Sequence, residues 1–111
     1  MGLEELVSAL AAKLDLSCIV IHAIEGAIAF KDGECVYVDG PYTATPKLTT
    51  GAGDNFNAGF CLGLMLGLTL EEILIMGTAT SGFYVRNSHS PTLEELISFL
   101  GLWKERFDED F

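Results

Sequence analysis

The sequence predicts an α/β chain of about three strands and four helices. Three observations carry that reading. An amphipathic stretch with helical periodicity leads directly into a short, continuous apolar run. Two more short apolar runs flank an Asp-Gly turn. After a glycine-rich turn, the rest of the chain reads as three helices separated by capping and breaking signals.

The elements follow in order. Leu3, Leu6, Val7, Leu10, Ala11 and Leu14 fall at i, i+3, i+4, i+7, i+8 and i+11, which is one helical face ending near Asp15. Cys18-Ile19-Val20-Ile21 has the unbroken apolar character of a strand buried on both faces. Helix followed by strand is the tail end of a βαβ unit, with its first strand absent. Ala27–Phe30 and Cys35–Val38 are two more strands, joined as a hairpin through Asp32-Gly33. Residues 40–48, with Pro41 and Pro46, form a loop. An apolar helix then runs to about Leu66, with Gly59, Gly63 and Gly67 at four-residue spacing. Glycine inside a helix costs about 1 kcal/mol relative to alanine, so this stripe predicts close packing of another element. Gly67 is also placed to end the helix. Thr69-Leu70-Glu71-Glu72 is a capping box opening a helix to about Val85, whose middle, 77–82, is small and mildly polar. Thr92 to Glu95 repeats the signal for a last helix, marked by Leu93, Leu96, Ile97, Leu100 and Trp103 and loosened at Gly101. The acidic tail, 108–111, is expected to fray.

Composition sets limits. The chain has 111 residues, one domain or part of one, and half of them are apolar. A doubly wound sheet usually needs more chain. Its net charge of −10 argues against a nucleic-acid or anionic-membrane surface. Backbone amides could still bind phosphate. Cys18, Cys35 and Cys61 form no CxxC and lie in apolar runs, so they read as buried thiols in a reducing, cytoplasmic setting. Met1 leads into an acidic amphipathic helix, with no signal-peptide pattern. His22 and His89 read as packed or surface histidines, and no metal site is expected. The longest charge-free run, Asn55–Leu70, has 16 residues, short of the roughly 20 that a membrane span needs.

The stretch Thr49-Thr50-Gly51-Ala52-Gly53-Asp54-Asn55-Phe56-Asn57-Ala58-Gly59-Phe60 carries the chemistry. Small residues open a helix whose first N–H groups have no internal partner and whose dipole is positive there. That geometry suits a phosphate. A carboxylate beside a phosphate repels it, but makes sense as a base for an attacking hydroxyl. Helix capping by Asp54 is the alternative.

The same stretch resembles the C-terminal signature of the ribokinase-like (PfkB) carbohydrate kinases. The similarity covers nearly the whole chain but only the C-terminal part of such an enzyme, so the N-terminal sugar-binding half is absent. The resemblance implies a Rossmann-like ribokinase fold, with residues 1–111 forming its C-terminal nucleotide- and phosphate-binding portion. It implies transfer of the γ-phosphoryl group of ATP to a hydroxyl of a sugar or related carbohydrate, with Mg2+ arriving on the nucleotide. Asp54 would be the catalytic base and Gly51, Ala52 and Gly53 the anion hole. Gly26, the surviving glycine of a Gly-x-x-Gly element, and Thr78 would contact the nucleotide. A turn role for Gly26 and a packing role for Thr78 remain open. Many members hold a monovalent cation with an aspartate where this chain has Leu48, so no potassium requirement is expected. A chain with these features but only part of the fold could instead be a non-catalytic nucleotide-binding or interaction module, or a structural domain. Missing sheet neighbours predict self-association or poor solubility of the isolated chain.

Overall fold

The computed structural model describes residues 2–107 and 109–111. Met1 and Asp108 lie outside the described residues, and with them the readings made there. The element order is α1 (Leu3–Leu14), β1 (Cys18–His22), β2 (Gly26–Lys31), β3 (Glu34–Asp39), α2 (Ala52–Met65), α3 (Leu70–Asn87) and α4 (Leu93–Glu105). The three strands form one antiparallel sheet in the order β1-β2-β3.

Local chemistry fixes the connections. Asp32 and Gly33 both have positive φ (52° and 82°), the two-residue turn whose twist matches the flanking strands. Gly67 (φ 71°) ends α2, with its N–H on Leu64 O and that of Leu68 on Gly63 O. Thr69 and Thr92 each complete a reciprocal capping box with the glutamate three residues on.

Strand pleating divides the core. Ala27 and Ala29 of β2 pack with Phe56, Phe60, Leu70, Ile73 and Leu74, flanked by Cys18, Val20, Val36 and Val38. Ile28, of opposite parity, is buried on the other face, where α1 packs against β1 and β2. A second cluster, Ala79, Phe83, Leu96, Phe99 and Trp103, joins α3 to α4.

Several expectations change. The strand buried on both faces is β2, since it is central; β1 is an edge strand and only half-buried. Cys18 and Cys35 are half-buried, and Cys61 is exposed because it lies off the buried 56-59-60-63 stripe of α2. The Cys18 and Cys35 thiols are nonetheless pushed up by desolvation. α4 is continuous through Gly101, and its buried face is Leu96, Phe99 and Trp103, while Leu93 and Ile97 are exposed. The tail is docked at Asp110 and Phe111: Ala44 N–H donates to Asp110 Oδ2 at 2.9 Å, and Arg86 Nε donates to the main-chain oxygen of Phe111 at 2.6 Å. Among the described residues no helix is long and apolar enough to cross a membrane.

Candidate functional site

A cleft of about 530 Å³ opens where four segments meet: the β1–β2 link, the loop after β3, the start of α2 and the middle of α3. Gly26, Ala52, Gly53 and Thr78 all line it. The structure therefore brings together four residues spread over more than fifty positions of sequence.

The turn before α2 is built by backbone geometry. Gly51 is the N-cap of α2, with φ 95° and ψ −2°. A side chain there would be strained, and its Cβ would stand 2.7 Å from the Tyr84 hydroxyl. That hydroxyl donates to Thr50 O and pins the turn from behind. The Ala52 N–H donates to Thr49 O at 3.1 Å. Among the described residues, no backbone acceptor engages the N–H groups of Gly51, Gly53 or Asp54. Two of the three expected donors, Gly51 and Gly53, and the Asp54 N–H beside them thus have no backbone partner among the described residues, while Ala52 is committed to the turn itself. Gly53 has nothing within 4 Å of where a Cβ would be, so the approach is clear.

Asp54 is the third residue of α2 and is exposed beside Gly53. It is not the cap: Gly51 holds that position and no side chain caps it. The side chain that ties the first turn belongs to Asn55, whose Nδ2 donates to Gly51 O at 2.9 Å and whose Oδ1 accepts from Ser90 Oγ at 2.7 Å. Neither Gly51 nor Asp54 lines the cleft; both flank the residues that do.

Gly26 and Thr78 have structural duties as well as cleft positions. A Cβ at Gly26 would lie 2.5 Å from Val38 O, so β2 starts there only as glycine. The Thr78 hydroxyl is buried and donates to Leu74 O at 2.9 Å and Ile75 O at 3.2 Å. Leu48 is exposed and its side chain offers no oxygen. Nearby, Val85 O accepts from Lys47 N–H at 2.7 Å and from Leu48 N–H, and Thr50 O accepts from Tyr84. Among the described residues no cluster of His, Cys, Asp and Glu is arranged to hold a metal.

Two features escaped sequence reasoning. Arg86 is a hub: it donates to Gly82 O, Tyr42 O and Phe111 O, and its guanidinium lies over the rings of Phe99 and Phe111. Burial lowers its pKa, and nearby Asp110 opposes that shift. No periodicity announces such a hub. The other is His22, at the end of β1, which lines the cleft and stacks on Phe56 with ring centroids 4.1 Å apart and planes 11° from parallel. Strand alternation could have found it, because Cys18, Val20 and His22 share the face that α2 covers.

Comparison with known proteins adds a family to this geometry. The sequence model of the prokaryotic ketohexokinases matches residues 2–103. A ketohexokinase of Haloferax volcanii is 38% identical over 95 residues, covering 86% of this chain and 25% of that protein. A 5-dehydro-2-deoxygluconokinase of Geobacillus thermodenitrificans is 34% identical over 88 residues, covering 74% and 26%. Among solved structures, Arabidopsis thaliana ribokinase complexed with ribose and ATP is similar at a TM-score of 0.78 and 25% identity, covering 89% of this chain and 34% of that one. Phosphofructokinase-2 from Escherichia coli, in complex with substrates and products, reaches 0.76 at 16% identity, covering 94% and 35%. The chain thus spans about a quarter of the length of the curated relatives it matches, and about a third of the structures.

Proposed function

The chain belongs to the prokaryotic ketohexokinase family and carries part of the ribokinase-like fold, and from that premise we propose that it is the nucleotide- and phosphate-binding portion of an ATP-dependent carbohydrate kinase. The observation that carries this reading is the cleft at the start of α2. There Gly26, Ala52, Gly53 and Thr78 converge, open N–H groups face outward, and Asp54 stands exposed beside them. The relatives' names support a sugar as acceptor.

In this reading the γ-phosphoryl group lies against the N–H groups of Gly51, Gly53 and Asp54, aided by the positive end of α2. The Asp54 carboxylate takes the proton of the attacking sugar hydroxyl as the new P–O bond forms. ADP leaves with the electrons of the broken bond. Mg2+ would arrive with the nucleotide and neutralise its charge. The chain's own residues position the phosphates and hold the proton. Leu48, whose side chain offers no oxygen, supports a site that works without a monovalent cation.

A second reading, a nucleotide-binding or interaction module without catalysis, is favoured by one observation. The apolar face of α1 is partly uncovered, as in a chain that docks on something else. Asp54→Asn separates the two. It preserves shape, and because Asp54 is not the cap, folding should be unchanged. In a form containing the sugar-binding half, turnover should fall by roughly 10²–10⁴-fold. ATP affinity should be kept or slightly improved, since a negative charge near the γ-phosphate is lost. Unchanged turnover would make Asp54 a bystander. ATP binding without any turnover in the wild type would favour the module.

A further inference from the structure

We propose that His22 is a polyphosphate-binding residue of this cleft, its imidazole N–H donating to a phosphate oxygen of the bound nucleotide. The proposal rests on the nucleotide reading above and deepens it.

Placement comes first. His22 pairs with Ala27 at the end of β1, on the sheet face that α2 covers. The Phe56 ring, one helical position past Asn55, lies flat beneath the imidazole and fixes its plane. Phe56 is itself 1% exposed, so this platform is packed within the core. Among the described residues the imidazole makes no hydrogen bond that would occupy its nitrogens, and both stay available.

Charge comes second. The cleft is lined by no lysine or arginine, and His22 is its one side chain able to carry a positive charge. The whole chain bears −10, so the surrounding field opposes a polyphosphate. Backbone N–H groups at α2 can hold one phosphoryl group; neighbouring phosphates need another donor. Hydrogen bonds to charged groups are the stronger kind, and a fixed donor makes them with little loss of freedom. His22 is exposed at the cleft, but packing on Phe56 desolvates part of the ring and lowers its pKa, a shift that a phosphate at its N–H would oppose.

The test measures binding to the 111-residue chain by calorimetry, with three probes: ATP, inorganic tripolyphosphate and adenosine. His22→Phe keeps the stack on Phe56 and removes both nitrogens. His22→Gln restores a donor. The expected result is a loss of roughly ten-fold or more in ATP and tripolyphosphate affinity for His22→Phe. Adenosine affinity and the thermal midpoint should be unchanged, and His22→Gln should recover most of the loss. Equal tripolyphosphate affinity in wild type and His22→Phe, with ATP still bound, overturns the proposal and leaves the nucleotide reading standing. So does a loss shared by adenosine and by thermal stability, which is the mark of a packing role. If the wild type binds neither ATP nor tripolyphosphate, the nucleotide reading itself fails and the proposal falls with it.

Discussion

The seam between α2 and α3 and the face of α1 are written in the same sequence language and end differently. Both are apolar stripes at helical spacing. In the seam, Gly59 lies against Thr80 and Met76 O, Gly63 against Ile73, and Gly77 against the Phe56 ring. The two backbones approach closely, and Phe56, Phe60, Ile73 and Leu74 are buried around them. On α1, Val7 and Ala11 are buried, while Leu3, Leu6 and Leu14 are 37%, 38% and 56% exposed. Periodicity tells which face is apolar. It does not tell whether anything covers it. Glycines in register do carry that information, because their cost makes sense only where a neighbour needs the space. The candidate site hangs on the closed region: the start of α2 and the middle of α3 are the walls of the cleft.

The largest effect expected from breaking this contrast is at Gly59. A Cβ there would stand 2.5 Å from Met76 O, a backbone atom that cannot swing aside, and would also collide with the Thr80 hydroxyl. Gly59→Ala should therefore destabilise the chain by about 1–3 kcal/mol, although alanine favours the helix by about 1 kcal/mol. Gly101, inside α4, has nothing within 4 Å of its would-be Cβ, so Gly101→Ala should stabilise by about 0.5–1 kcal/mol. Urea unfolding of both variants checks the pair. Equal signs would mean that the seam relaxes around an added Cβ.

A smaller effect is expected on α1. The double variant Leu6→Gln, Leu14→Gln changes exposed or nearly exposed positions, so stability should shift by no more than about 0.5 kcal/mol per site. Self-association should change more. An uncovered leucine face beside an edge strand invites contact between copies. Light scattering should show the wild type associating as concentration rises, and the double variant less so. A wild type that stays monomeric throughout would show that this face is not adhesive.

These regions also separate what was legible in the sequence from what was not. Turn and cap chemistry is local, and it read correctly: Asp32-Gly33, Gly67 and the two Thr-x-x-Glu boxes each act within a few residues. No spacing rule joins Gly26, Thr78 and the turn at 51–54; the family resemblance grouped them by role, and the fold sets Gly26, Ala52, Gly53 and Thr78 on one cleft with Gly51 and Asp54 at its flank. Strand burial was misjudged because β1 and β2 are equally apolar and only the pairing order decides which is central. The tail was misjudged because its acidity hid two specific partners, Ala44 N–H and the Arg86 guanidinium. His22 was passed over because a lone histidine in an apolar run usually packs, and it does pack, on Phe56, while also lining the cleft.

The smallest expected effect distinguishes the seam from the helix ends by pH. The seam contacts involve glycine, aliphatic, aromatic and hydroxyl groups, so the cost of Gly59→Ala should be the same at neutral and acidic pH. The capping boxes should titrate. Thr69 N–H and Thr92 N–H donate to Glu72 Oε1 and Glu95 Oε1 at 2.9 Å each. Those backbone bonds are the main cause holding both carboxyl groups below their ordinary value of 4.5. A group whose folded pKa is depressed contributes stability that is present above its unfolded pKa and fades as pH falls through the folded value. The contribution of the boxes should therefore be intact at neutral pH and be lost below 4.5. Glu72→Gln, Glu95→Gln keeps an acceptor and removes the titration. It should be slightly less stable than the wild type at neutral pH, because an uncharged acceptor at a helix start is weaker. The two should converge once the wild-type glutamates are protonated. Both carboxylates face solvent, so added salt should shrink the difference. Some acid sensitivity should survive in the double variant, since Asp110 is likewise held low, first by the Ala44 N–H. Urea midpoints across the acid range test this. Parallel curves for wild type and double variant would show that the boxes hold their helices by geometry and not by charge.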